Sequence, residues 1–273
     1  MNIFTDEILA KSILVVAHPD DEVLWFSSIL DKVGRIIICF LECGSMPNWT
    51  VGRRKSLTEH PIQSTSNLGI DESEVFSDAN FRDPVVTKYG IEIADKQISD
   101  REYIENFYKL KKELKPKLID CDNVVTHNPW GEYGNEEHIQ LYRVIRNLKE
   151  ELGFTLWFPN YSSNKSYKLM LKHISNANLE YVTLKTNKIL SDQIKRIYKK
   201  NGCWTWYDDW KWFDEESFIK DNQLENGTYK YGHMFPLNLI NVDISRDLDK
   251  KPDGKLRIFR LFASKIKSGQ YKK

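Results

Sequence analysis

Apolar and polar positions along this chain change period in a regular order. The uninterrupted run Ile13-Leu14-Val15-Val16-Ala17 reads as a strand buried on both faces, because a strand with one wet face would alternate. Helical spacing follows over about residues 20–32 and stops at Gly34, and a second apolar strand covers 35–41. A strand, a helix and another strand at this spacing form a β-α-β unit, which implies parallel pairing through a right-handed crossover. The alternation continues with a helix around 55–67 closed by Leu68-Gly69, a short strand at 74–76, a charged helix near 100–114 and a strand at 123–127. Beyond a loop rich in Gly and Pro, the pattern predicts a helix over 135–150, a strand over 154–158, a helix over 165–174, a strand over 181–184 and a helix over 190–200. The last third differs: half of the tryptophans fall within 203–212, and an amphipathic strand is expected at 256–262. With no internal repeat and no low-complexity linker, the expectation is a single α/β domain over 1–273, a mostly parallel sheet flanked by helices with an aromatic-rich C-terminal elaboration.

Composition narrows the function classes. In 273 residues, 41% of them apolar, there is material for a substantial core. Lys and Arg number 40 against 39 Asp and Glu, a net charge of +1, so no overall field favours nucleic acid or an anionic membrane. The basic runs at 109–117 and 265–273 read as solvated helix faces or chain ends. Cys39, Cys43, Cys121 and Cys203 show no CxxC pairing, which fits a reducing compartment. The first residues lack a basic start and apolar core, and no apolar run approaches the ~20 residues of a membrane span, so a cytoplasmic protein is expected.

Candidate chemistry sits at two strand ends, where ligands bind in open parallel sheets. After the first strand comes His18-Pro19-Asp20-Asp21-Glu22, an imidazole and three carboxylates that are costly to bury unless a cation satisfies them. After the strand at 123–127 comes a loop holding His127, Glu132, Tyr133, Asn135 and His138. If these two strands are neighbours, His18, Asp21 and His138 converge as a ligand set for zinc or another divalent metal, with a position open for water. Asp20 then lies off the metal and is free to take a proton from that water. The competing reading, carboxylates that merely cap a helix, is weakened by the His-Pro prefix and the second cluster.

Ala17-His18-Pro19-Asp20-Asp21-Glu22 after a first strand, with a later Gly131-x-Tyr133-Gly134-x-x-x-His138, resembles the PIG-L/LmbE-like family of zinc-dependent N-acetylglucosaminyl de-N-acetylases. The resemblance implies a Rossmann-like core over about 1–190, leaving 191–273 unassigned. It also implies His18, Asp21 and His138 as metal ligands, Asp20 as general base and Tyr133 as a mobile, substrate-facing tyrosine. One position departs from the family: Asn135 stands where a histidine is usual, and an amide can hydrogen-bond an oxyanion but has no proton for a leaving amine. That acid role moves to Asp20 or to His127. By the same resemblance Arg53 or Arg54 contacts the sugar, and Asp83, with Asp78 competing for the alignment, binds its hydroxyls. His60, His173 and His233 have no supporting neighbours, and the aromatic block 203–212 reads mainly as packing, with one or two rings at the substrate mouth.

The expected activity is therefore metal-dependent release of acetate from an N-acetylated amino sugar, free, nucleotide-linked or in a glycoconjugate precursor. Two alternatives stay open: a catalytically silent relative that binds metal and sugar, and an amidase on a different acyl-amine. A homo-oligomer is compatible with either.

Overall fold

The computed structural model describes residues 4–73, 75, 85–87, 89–92, 101–174, 180–221 and 236–243. The chain divides into one compact unit ending at Ile240 and another beginning at Asn241. The strands of the first unit are β1 (Ile13–Val16), β2 (Arg35–Glu42), β3 (Thr65–Asp71), β4 (Val85–Thr87), β5 (Gly90–Glu92), β6 (Asn123–Thr126), β7 (Thr155–Pro159), β8 (Tyr161–Ser163), β9 (Glu180–Lys185), β10 (Glu215–Lys220) and β11 (Asn238–Ile240). Its helices are α1 (Asp6–Ala10), α2 (Asp21–Trp25), α3 (Pro47–Thr58), α4 (Arg101–Leu118), α5 (Glu136–Leu152), α6 (Tyr167–Ile174) and α7 (Lys188–Lys200).

Seven strands form the main sheet in the order β3-β2-β1-β6-β7-β10-β9. The first five run parallel, and β10 pairs antiparallel with both β7 and β9. From β1 the chain goes to β2 on one side, while β6 pairs with β1 on the other, so a topological switch point lies at their carboxyl ends. All four residues of β1 are buried, as its apolar run requires. Val15, Ile37, Val124, Leu156 and Phe158 of the sheet pack with Leu110, Leu114 and Leu118 of α4 and with Leu141, Val144, Ile145 and Leu148 of α5, each contributing roughly 1.5–3 kcal/mol by burial. α4 packs on α5, whereas α7 contacts α2 and α3. Among the described residues no helix is long and apolar enough to cross a membrane.

The mostly parallel α/β architecture expected from the pattern is present, with corrections to its elements. The helix expected over 20–32 ends at Trp25 because its next hydrogen bonds are taken: the Val23 carbonyl accepts from the Trp212 indole, and the Ser27 and Ser28 N–H groups donate to Glu216. The helix expected over 55–67 lies instead at Pro47–Thr58, started by its proline, and 65–71 is the edge strand β3. Most of β3 is solvent-facing, so no apolar run marks it. The pattern also misses β10, because this interior strand carries the buried Glu216. Expectations for 256–262, His233, Asp78 and Asp83, and most of 74–76, fall outside the described residues.

Candidate metal and catalytic site

The loops after β1 and β6 meet at the switch point. Directly after β1, Asp20 takes a left-handed backbone conformation, φ 96°, which is rare for a residue with a side chain and costs of order 1–3 kcal/mol. Its N–H donates to Glu22 Oε2 (3.0 Å), and Glu22 Oε1 accepts from the Tyr198 hydroxyl (2.8 Å) and lies 3.4 Å from His60 Nε2. His60 thus has a neighbour that its sequence context did not reveal.

The second loop is built by Asn128. Its amide donates to the Pro159 and Tyr161 carbonyls, and its side-chain oxygen accepts from the N–H groups of Trp130 and Glu132. Gly131, at φ 64°, passes so close to Asn135 that a Cβ there would sit 2.4 Å from the Asn135 carbonyl oxygen. Asn135 then caps α5, accepting from the N–H groups of Glu137 (2.9 Å) and His138 (3.2 Å), while Gly153 at φ 82° ends the helix.

These turns bring His18, Asp21 and His138 together, with one donor atom from each lying within 4.8 Å of the others. Asp21 Oδ2 is 3.1 Å from both His18 Nδ1 and His138 Nε2. Burial opposes ionisation of Asp21, yet the neighbouring His138 imidazole overrides it and holds the carboxyl well below its usual range. The far nitrogens of both rings face carboxylates: His18 Nε2 meets Glu137 Oε2 at 2.7 Å and His138 Nδ1 meets Glu132 Oε2 at 2.7 Å. Metal-binding imidazoles are commonly oriented this way, and His138 Nε2 is buried with no hydrogen-bond partner. Two imidazoles and a carboxylate suit a borderline divalent ion such as zinc, so the donor set fits a metal.

Two other groupings have suitable spacing but are already occupied. In His127, Glu132 and His138, the His127 Nε2 accepts the Ala17 N–H at 2.9 Å, which leaves the ring's proton on Nδ1 to donate to Glu132 Oε2 at 3.0 Å. In His18, Glu72 and Glu137, the Arg53 guanidinium is paired with Glu72, and Glu137 Oε1 accepts from the Ser73 N–H and hydroxyl, both at 2.7 Å. Asp20, Asp21, Glu22, Glu72, Glu132 and Glu137 are all buried around this point, with Arg53 as a permanent counter-charge.

The remaining sequence candidates separate. Asp20 Oδ2 accepts from the Thr205 N–H (2.9 Å) and hydroxyl (2.7 Å); burial, then the Asp21 charge, push its carboxyl up to about 8. His127, fully buried with both nitrogens engaged, holds Glu132 and the β1 end. Asn135 uses its oxygen as a cap and its amide to donate to the Tyr133 hydroxyl at 3.0 Å. Tyr133 lies edge-on to His138 (5.6 Å between centroids), and burial first, then Asp21, raise its phenol well above the usual value, so it keeps its proton. Arg53 points inward to Glu72, whereas Arg54 pairs with Glu42 at the surface.

In the aromatic block, Trp206 packs on Tyr133 (4.8 Å) and Trp25 (5.1 Å), Trp210 on Trp25 (6.0 Å), and Trp212 is buried. Sequence reasoning left Glu132, Glu137 and Thr205 without roles. The two glutamates lie inside the second motif, but nothing local marks Thr205.

No family model matches the chain. In sequence it is 22% identical over 205 residues to the uncharacterized protein L374 of Acanthamoeba polyphaga mimivirus, covering 71% of this chain and 82% of that one. Among solved structures it is similar to a deacetylase in complex with teicoplanin from teicoplanin biosynthesis, at 11% identity, TM-score 0.47, and 77% and 97% of the two chains. It is similar to the zinc-inhibited form of teicoplanin deacetylase Orf2, at 12% identity, TM-score 0.47, and 77% and 97% coverage. The A40926 pseudoaglycone deacetylase Dbv21 is similar at 10% identity, TM-score 0.49, and 78% and 97% coverage. These likenesses are distant, so any assignment of activity has to rest on the residues of the site.

Proposed function

We propose that the protein is a zinc-dependent N-deacetylase that releases acetate from an N-acetylated amino sugar or from a conjugate carrying one. The observation that carries this reading is the convergence of donor atoms from His18, Asp21 and His138, with the buried carboxylate of Asp20 next to Asp21 in the same turn. A divalent metal held by those donors supplies Lewis acidity, polarising an amide carbonyl and making water a better nucleophile near neutral pH. Asp20, one of whose oxygens is engaged by Thr205, offers the other as proton acceptor. Burial raises the proton affinity of Asp20; in its ionised form, which a bound cation would favour, it accepts a proton from attacking water and can return it to the departing amine, so one residue serves both transfers. This answers the loss of the usual histidine at Asn135. Asn135 acts through Tyr133: its amide occupies a lone pair of the phenol oxygen, leaving the phenol proton to hydrogen-bond the developing oxyanion. His127 acts as a holding residue.

Zinc titration of the purified protein with a screen of acetylated sugars for primary-amine release tests the reading. Wild type should bind about one zinc and release amine, and Asp20→Asn should keep the metal while losing roughly 100-fold or more in kcat. Undiminished turnover in Asp20→Asn sinks the base assignment. Sugar binding with no amine from any acetamide favours the silent alternative, which the commitment of Asn135 to capping supports. Release of longer acids in preference to acetate favours a different amidase.

A further inference from the structure

We infer that Thr205 is a positioning residue for Asp20, and that through it the tryptophan-rich segment 203–212 forms part of the reaction centre. The inference deepens the deacetylase reading and rests on it. Thr205 is 185 residues from Asp20 in sequence, yet both donors it owns, the N–H and the hydroxyl, converge on the same oxygen, Asp20 Oδ2, at 2.9 and 2.7 Å. A carboxylate oxygen holding two donors has its rotation about the Cβ–Cγ bond restrained, and only Oδ1 is left to face a reacting proton. The other end of Asp20 is gripped as well, through its N–H on Glu22 and the Tyr198 hydroxyl on Glu22. The first grip comes from the segment after α7; the second is made by Glu22 within α2 and is braced by Tyr198 of α7.

That segment is anchored independently of Asp20. The Cys203 N–H donates to the Tyr198 carbonyl (3.0 Å), and Lys195 donates to the Asp208 and Trp210 carbonyls, both at 2.9 Å. The Trp212 indole donates to the Val23 carbonyl at 2.6 Å, tying the far end of the segment to α2. Thr205 is therefore presented on a braced segment, and its neighbour Trp206 rests on Tyr133. One short segment thus orients the proton acceptor and packs against the tyrosine. A side chain held within a fraction of an ångström by such a support transfers protons efficiently, and loosening it slows the chemical step more than substrate binding.

The test uses zinc-loaded, full-length protein with N-acetylglucosamine as probe, or the acetylated sugar from the screen that is turned over fastest. Thr205→Val keeps the shape and the N–H but removes the hydroxyl, whereas Thr205→Ser keeps both donors. Expected is a kcat about 10-fold lower in Thr205→Val, with KM within about twofold and zinc retained, and near wild-type kcat in Thr205→Ser. Wild-type kcat in Thr205→Val overturns the inference, and so does equal damage in both variants with loss of zinc, which assigns a structural role. Hydrogen exchange supplies a readout without turnover: Asp20→Ala should speed exchange of the Thr205 amide while amides of β1 and β6 keep wild-type protection. Unchanged exchange at Thr205 overturns the contact. No amine release by wild type, with accelerated exchange in Asp20→Ala, rejects the deacetylase reading but leaves the Thr205 grip standing.

Discussion

Glu132 is the carboxylate on which the candidate metal site turns, and Glu132→Gln tests that directly. Its Oε2 accepts from Nδ1 of both His127 (3.0 Å) and His138 (2.7 Å), while Oε1 accepts the Asn128 N–H (3.0 Å). The residue is fully buried, so no water can substitute. Burial opposes its charge, but His127 and His138 outweigh that and lower its pKa. A glutamine has one acceptor oxygen: turned toward the imidazoles, its NH2 confronts the Asn128 N–H, and turned away, it orphans both rings. Either way at least one buried donor loses its partner, costing about 1–3 kcal/mol, and the surviving bonds lose their charge assistance. A total of roughly 2–5 kcal/mol implies a Tm drop of order 5–15 °C in metal-free protein. Because the Nδ1–H bond to a carboxylate also orients His138 and makes its Nε2 a better ligand, zinc affinity should fall 10–100-fold, about 1.4–2.7 kcal/mol. Thermal unfolding in chelator and calorimetric zinc titration measure the two effects. A Tm within 2 °C of wild type together with zinc affinity within about twofold would refute the network as drawn.

Two further outcomes are expected from groups away from the metal donors, the buried Glu216 and the half-buried His173. Glu216 is fully buried and accepts from the N–H and hydroxyl of Ser27, the N–H and hydroxyl of Ser28, and the Tyr161 hydroxyl. Glu216→Gln should cost about 2–4 kcal/mol in chemical denaturation with zinc stoichiometry unchanged; stability equal to wild type would contradict the pairing of β10 with the α2 turn. His173, against Trp130 and Tyr142, is lowered from 6.5 to about 4 by burial. The unfolded imidazole then binds a proton that the folded one refuses, so its stabilising contribution is complete above about pH 6.5 and declines as pH falls toward about 4, by up to ~2–3 kcal/mol. Denaturation midpoints of His173→Phe should lose that slope over the same window, and an identical slope in the variant would reject the assignment.

Much of the fold was legible because burial on both faces forces a continuous apolar run. Ile13 to Val16, 35–41 and 123–126 announce the central parallel strands, and the helix expected over 135–150 is α5, whose Asn135 and Gly153 caps the structure supplies. Elements that carry polar residues for tertiary reasons were not legible. β10 reads Glu-Glu-Ser before its apolar half, since Glu216 serves the Ser27-Ser28 turn, and β3 at the sheet edge is mostly solvent-facing. The helix after β1 looks long in sequence and is short in space, because Trp212 and Glu216 take its backbone partners.

The site divides in the same way. By itself the sequence determined which residue types are available at two strand ends, since His18, Asp20, Asp21 and His138 stand in local motifs whose turns are set by nearby Pro19, Gly131 and Gly134. Only the tertiary structure decided what each one touches. Pairing of β1 with β6 brings the two motifs together, Ala17 and Glu132 tie His127 into the framework, Arg53 turns inward while Arg54 turns out, and Thr205 reaches Asp20 from the far third of the chain. Local spacing can encode a turn or a donor set, because neighbouring residues are held together by the chain. The partner that fixes a tautomer or aims a carboxylate is chosen by packing, and packing joins residues that the sequence keeps far apart.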